Sequence, residues 1–377
     1  MSLSPLSHRH HPQSSVARAA AIADRLTELG ARYDAAPVFP QESMRCLAAA
    51  GLHRDFAAPA SGGMAFADAA QRCQALMDVL RIIGRADLSV GRLFEGHVNA
   101  LALFAWYGSP AQAAQLAGEL DAGAFYGVWA TEPAPGVSID VKLGGGHALR
   151  GAKSFASGAG GLARAIVTAR PAAGDRQLVL VDANDAARAD LSGWRVRGMR
   201  ASISGVYDLT GVDVRADDLL GHPGDYDREP RFTTGAWRFA AVQLGGIEAL
   251  LTETRAAMSE VARTDPLQRA KFAKCVVAAR TAYLWVRECA ARAANDSIDG
   301  PAFARLTRGV VERAGLDVME LAARMIGTRS AMDGQRIDKI IRDLSLYLRQ
   351  SGPDYSRDQA ALTWLDHDAW GEGDLLW

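Results

Sequence analysis

The period of the hydrophobic pattern changes twice along the chain, and the order of those changes restricts the fold more than any other feature. Residues 16–121 place apolar side chains at helical spacing, over 16–33, 66–83 and 89–107. Pro40-Gln41-Glu42-Ser43 opens a further helix that runs to Ala50 and stops at Gly51, and Ser109-Pro110 starts another with proline in its first turn. From 122 to 228 the pattern turns β-like. Short runs occur at 164–169 and 177–181, then at Val206-Tyr207-Asp208-Leu209 and Val212-Asp213-Val214. Gly144-Gly145-Gly146 reads as a hairpin loop, because it lacks the G-x-G-x-x-G spacing and the following helix of a phosphate loop. Residues 229–377 return to long helical patterns, at 232 to about 263, 266 to about 295, 301 to about 327 and 335 to about 350. A helix of roughly 30 residues is about 45 Å long, and four of them with short connections suit an antiparallel bundle. A doubly wound fold would alternate strand and helix throughout and is excluded. The expectation is a mainly α chain with a central β-domain: a disordered tail (1–15), an N-terminal helical domain (16–121), a small antiparallel β-barrel (122–228) and a C-terminal four-helix bundle (229–377).

Charge narrows the function classes. The chain has 377 residues, with 42 basic and 43 acidic side chains and a formal charge of −1. That balance offers no electrostatic footprint for nucleic acid or an anionic membrane. The four cysteines, Cys46, Cys73, Cys275 and Cys289, match neither a zinc site nor a disulfide framework, so free thiols in a reducing cytoplasm are expected. The first 15 residues carry His8, Arg9, His10 and His11 but no apolar core, which argues against a signal peptide. That histidine cluster reads as a tail rather than a metal site. The longest apolar run, 98–107, is too short to span a bilayer. H-E-x-x-H, Walker A, G-x-S-x-G and EF-hand patterns are absent from the sequence.

What remains is a pair of polar strand ends inside the β-like stretch. Trp129-Ala130-Thr131-Glu132-Pro133 precedes Gly151-Ala152-Lys153-Ser154-Phe155-Ala156-Ser157-Gly158. Together they offer backbone N–H groups and two hydroxyls, which could hold a flat heteroaromatic ring; ordinary strand-edge polarity is the plainer alternative. The two segments resemble the flavin-contacting motifs of the acyl-CoA dehydrogenase superfamily. Other stretches fall in the family's order: Phe39-Pro40 through Leu52, His97 through Ser109, Gly198-Met199-Arg200 through Gly221, and Ile326-Gly327 through Arg342-Asp343.

The resemblance implies FAD as cofactor. Ala130 and Thr131 would lie at the ring's N1/O2 edge, where preorganised donors stabilise the negative charge of reduction, Ser157 at N5/O4 and Phe155 against the ring, with Trp129 as a further cofactor-binding residue. It implies that Arg269 and Phe272, with Gly327, hold the dinucleotide tail across a subunit interface, although the Arg-x-x-Phe-Gly pattern and double glycine of the family are not kept. Partners implied are an acyl-CoA or other acyl thioester, an electron-transfer flavoprotein, and further copies of the chain in a homodimer or homotetramer.

One expected residue is missing. Ser351 stands where the family's proton-abstracting glutamate would be, and the second family position falls near Trp237-Arg238. Three readings follow. The base has moved to Glu95 or His97, on the helix beside the substrate cavity, and the chain oxidises an acyl thioester at its α,β CH–CH bond. Alternatively the chain is a flavin-dependent monooxygenase on the same fold, or it binds flavin or acyl groups without turnover. The Thr131-Glu132-Pro133 signature favours the first. A partnered helix glutamate and a satisfied semi-buried imidazole are the plainer readings of Glu95 and His97.

Overall fold

A computed structural model describes residues 13–350 and 352–365. The histidine cluster and Ser351 therefore lie outside the described residues. Six helices come first: α1 (Ser15–Ala35), α2 (Gln41–Ala49), α3 (Leu52–Asp55), α4 (Ala69–Ala86), α5 (Leu88–Tyr107) and α6 (Pro110–Asp121). The Ser14 hydroxyl accepts from the Ala17 N–H and caps α1, so helix begins inside the stretch expected to be a tail. Asp87 caps α5 in the same way, and Ser109 with Gln112 forms a capping box on α6.

Ten short strands follow: β1 (Tyr126–Trp129), β2 (Ser138–Val141), β3 (His147–Arg150), β4 (Ala152–Ser157), β5 (Arg164–Ala169), β6 (Gln177–Asp182), β7 (Ala189–Asp190), β8 (Ser204–Asp208), β9 (Asp213–Val214) and β10 (Leu219–Leu220). They form three sheets, ordered β1-β5-β6-β10, β2-β3-β9 and β4-β8-β7, and these do not close into a barrel. Nor is the pairing wholly antiparallel. β1 runs parallel to β5, because the chain makes a long excursion through β2, β3 and β4 before it returns. The triglycine is the β2–β3 hairpin turn, and its three residues have φ between +83° and +99°.

The C-terminal elements are α7 (Arg231–Thr234), α8 (Trp237–Ala257), α9 (Glu260–Thr264), α10 (Pro266–Ala294), α11 (Gly300–Ile326), α12 (Arg336–Tyr347) and α13 (Pro353–Leu365). The helix expected over 232–263 is thus three. Ser259 stops continuity by capping α9, accepting from the Ala262 N–H at 3.2 Å. The bundle of α8, α10, α11 and α12 also takes in α4 from the N-terminal stretch. Close approach of α4 and α8 depends on Gly84 and Gly245, where a β-carbon would meet the Val242 and Arg81 carbonyl oxygens at 2.3 and 2.2 Å.

The Arg342-Asp343 pair ties the three stretches together. Arg342 pairs with Asp34 on α1 at 2.6 Å and with Asp338 at 2.7 Å, and donates to the Arg197 carbonyl. Asp343 accepts from the Met199 N–H and from Lys339 at 2.6 Å, and Lys339 also reaches Asp87, the α5 cap, at 2.8 Å. Among the described residues, no helix is long and apolar enough to cross a membrane, and no group of three or more His, Cys, Asp or Glu is placed to hold a metal ion.

Candidate active site

A cavity of about 710 Å³ opens where α5, the end of β1, the 226–239 segment and α11 meet. Its wall includes Glu95, Asn99 and Arg92 on α5, Ala130 and Thr131 just past β1, Arg238 and Phe239 on α8, and Arg305 and Arg308 on α11. Gln350 closes one side, and Trp106, Tyr107, Tyr226, Phe232 and Tyr355 make much of the remainder aromatic.

Polar groups in the wall form a chain. Glu95 is 2 % exposed, and both its oxygens are engaged: Oε2 accepts from Arg92 and Oε1 from the Asn99 amide. The Asn99 oxygen in turn accepts from Nε of Arg238. Burial pulls the Arg238 guanidinium below its ordinary value, and the nearby Glu95 carboxylate opposes that. Arg308 is also 2 % exposed. One of its nitrogens donates to the Leu348 and Gln350 carbonyls, while Nε and Nη1 have no partner among the described residues. The other two carboxylates of the wall are engaged as well: Arg176 holds both oxygens of Asp227, and Thr233 both of Glu229.

His97 does not line this cavity. Its ring is fully buried among Phe94, Phe125 and Tyr126. Nε2 meets the His53 carbonyl at 2.6 Å, and Nδ1 accepts the Tyr126 N–H at 3.1 Å. Those partners fix the neutral Nε2–H tautomer, and burial pushes the imidazole down to about 3. The side chain fastens the start of β1 to α5.

The two strand-end segments lie side by side. The Ser154 N–H donates to the Thr131 carbonyl at 3.0 Å, and fully buried Lys153 pairs with Glu132 while donating to Thr168 at 3.0 Å. The Trp129 indole N–H donates to the Ser157 carbonyl at 3.1 Å, with the Trp ring packed on Tyr207. The Ser157 hydroxyl sits 2.9 Å from that of Ser204, which meets Ser202 at the same distance. Between Lys153 and Ala156 the β4–β8 register shifts, and Phe155 at the shift has φ +52°. Such a bulge re-aims a side chain, and the Phe155 ring is 65 % exposed. Ala130, Thr131 and Glu95 thus share one cavity, whereas Trp129 and Ser157 are buried and are not among its lining residues.

Arg269, Phe272 and Gly327 lie elsewhere. Arg269 donates to the Thr264 carbonyl at 2.5 Å and closes the end of α9. Phe272 is half-buried on α10, and Gly327 ends α11 with φ +71°. Because α10 and α11 form a hairpin across residues 295–299, the start of α10 and the end of α11 share one end of the bundle.

Two features escaped the sequence reading. The Lys153–Glu132 pair joins the two motifs, and both residues lay inside the quoted segments. The Arg238–Asn99–Glu95–Arg92 chain needed long-range packing between α5 and α8 and had no local signal.

Residues 228–354 match the family model for the acyl-CoA dehydrogenase C-terminal domain. A dibenzothiophene monooxygenase of Mycolicibacterium goodii is 29% identical over 158 residues, which is 39% of this chain and 38% of that protein, well under half of either. FMN-bound TdsC from Paenibacillus sp. A11-2, also a dibenzothiophene monooxygenase, superposes with TM-score 0.84 at 20% identity, covering 94% of this chain and 98% of that one. Butyryl-CoA dehydrogenase from Megasphaera elsdenii superposes with TM-score 0.80 at 16% identity, covering 95% and 100%.

Proposed function

We propose that this chain, a divergent member of the acyl-CoA dehydrogenase fold superfamily, is a flavin-dependent oxidoreductase whose cavity serves oxygen transfer. One observation carries the choice: among the described residues, every carboxylate of the wall already accepts hydrogen bonds on both oxygens, and neither family position of the base holds a carboxylate. One position where a base is expected falls near Trp237-Arg238, Gln350 borders the other, and Glu95, Asp227 and Glu229 have both oxygens engaged. Desaturation of an acyl thioester needs α-proton removal, a step in which a positioned base is worth roughly 10²–10⁴-fold. The likeness to dibenzothiophene monooxygenases supports the oxygen-transfer reading.

A flavin would supply two-electron redox chemistry and oxygen activation. Ala130 and Thr131 would meet its ring edge, Phe155 would cover a face and Ser157 would lie at the second polar edge. The fit rests on the close pairing of the two segments and on a bulge that turns an aromatic ring outward. Arg269, Phe272 and Gly327 would hold the tail of an FAD at a contact with a second copy. The wall itself contributes positioning: Arg92 and Asn99 fix Glu95, and the aromatic lining excludes water from the reacting atoms.

A second reading, α,β-dehydrogenation of an acyl thioester with Glu95 as base, is favoured by the place of Glu95 in the cavity wall and by the likeness to butyryl-CoA dehydrogenase. Its electron acceptor would be an electron-transfer flavoprotein. In either case we place the chain in a reducing cytoplasm, in keeping with four free cysteines.

Purified protein loaded with flavin separates the readings. Anaerobic mixing with short, medium, long and branched acyl-CoAs should leave the oxidised flavin spectrum unchanged. Chemically reduced flavin with ¹⁸O₂ and a sulfur or nitrogen heteroarene should give a product carrying one labelled oxygen. Anaerobic bleaching by any acyl-CoA, with an enoyl product, would establish the dehydrogenase reading instead. Folded protein that takes up neither FAD nor FMN would sink both.

A further inference from the structure

The cavity carries more positive charge than its own residues neutralise. Five guanidiniums line it. Arg92 has Glu95, and Arg231 has Asp296 at 2.8 Å. Arg238, Arg305 and Arg308 have no carboxylate partner among the described residues; Arg238 leans on a neutral amide, and Arg308 on two backbone carbonyls. Glu95 lies near Arg238 and Glu312 near Arg308, but neither carboxylate contacts its guanidinium, and a buried charge without a contacting counter-charge is costly and favours a bound anion. Arg308 is 2 % exposed, and two of its nitrogens have no partner among the described residues. It lies over the ring of Phe239, its guanidinium carbon 5.6 Å from the ring centre, and Phe239 follows Arg238 on α8. Arg238 from α8 and Arg308 from α11 thus both line the same cavity.

We propose that Arg238 and Arg308 form an oxyanion-binding cradle, and that the substrate of this cavity bears a carboxylate, sulfinate or similar oxyanion on an apolar, ring-sized body. Guanidinium suits this role because its planar fork donates two parallel hydrogen bonds to such a group. The aromatic wall would take the body. The assignment rests on the cavity being the active site, but not on which flavin reaction runs there. One other source of the same chemistry is the phosphate of the flavin itself.

Titration calorimetry on FMN-saturated protein tests this without turnover. The probes are benzoate and benzenesulfinate, with neutral benzamide as the isosteric control. The anions should bind at least about tenfold more tightly than benzamide. Arg238→Gln should weaken anion binding by about 10- to 100-fold and leave benzamide unchanged. Arg308→Gln removes support for the 348–350 turn, so Arg308→Lys, which keeps the charge without the fork, is the paired variant and should lose less than Arg308→Gln. Equal binding of benzoate and benzamide by the wild type would overturn the cradle, as would undiminished anion binding in folded Arg238→Gln. Anion binding confined to flavin-free protein and displaced by FMN but not by riboflavin would also overturn it, assigning the guanidiniums to the flavin phosphate. If the protein takes up no flavin, the flavin reading fails, yet the same comparison on flavin-free protein still decides the cradle.

Discussion

Glu95 and His97 stand two residues apart on α5, and side chains at that spacing do not share a helix face. Only one of them could ever have faced the cavity, a constraint already present in the sequence. The structure turns Glu95 inward to the cavity and His97 toward β1. A pH test follows for His97. Its folded-state value, about 3, lies below the ordinary 6.5. Stability is therefore fully present above about pH 6.5, and is lost as pH falls toward the folded value because only the unfolded chain takes up the proton. At about 1.4 kcal/mol per unit, the contribution lost between pH 7 and pH 5 is about 2 kcal/mol. Urea unfolding of wild type against His97→Gln at both pH values should show a flatter dependence in the variant. A parallel slope in both proteins would contradict the assignment. Glu95→Gln addresses the chemistry: under the oxygen-transfer proposal it should not produce the roughly 10²–10⁴-fold loss expected on removing a general base. A loss of that size in flavin reduction by an acyl-CoA, with flavin content unchanged, would restore Glu95 as base. Arg238 was legible in the sequence only as a missing carboxylate; its meaning as a cation depends on partners drawn from other elements.

Individual elements were easiest to read where the period was long and the stops were chemical. The span of β5 is the one its β-branched run suggests, and α6 begins at the Ser109-Pro110 signal. Legibility failed where a side chain competes with the backbone, as Ser259 does between α8 and α9, and where strands pair at a distance, as β1 does with β5. The coupling of β4 to the segment after β1 also belongs to this scale. Lys153→Met strands Glu132 without its buried partner and should cost about 3 kcal/mol. Adding Glu132→Gln should recover part of that loss, because an unpaired carboxylate is worse than no charges at all. Thermal melts and flavin retention across the four-member cycle measure the coupling. Additive losses would mean that the pair does not hold the two motifs together.

For the molecule as a whole, the order helix, strand, helix was readable because each block needs its own period, and the strong α4–α8 packing was not, because nothing local to either helix names the other. The Arg342-Asp343 pair was seen only as a family-like motif; in the fold it bonds to α1, to the β-rich stretch and, through Lys339, to the cap of α5. Among the described residues, the outer side of the bundle leaves apolar side chains exposed. Val277 and Leu284 on α10 are 66% and 43% exposed. A groove of about 1100 Å³ lined by Val277, Leu306 and Val310 runs between α10, α11 and α13. A second copy of the chain is the expected cover. Light scattering at micromolar concentration should give a dimer or tetramer, and Val277→Arg with Leu284→Arg should shift it toward monomer without loss of helicity. A wild-type monomer with flavin bound would refute this.

If Phe155 covers the flavin as proposed, it sets stability against use at a single position. Its left-handed backbone costs an L-residue about 1–2 kcal/mol, and a ring that is 65 % exposed returns little packing in exchange. Asn, which tolerates that conformation, should leave the melting temperature unchanged or raise it, while flavin affinity falls. A library screened for heat resistance alone would then accumulate changes at 155 and discard function unnoticed, whereas one screened for colour would keep the aromatic ring. A Phe155→Asn protein that melts several degrees lower would show that the ring is held by packing and that no such conflict exists.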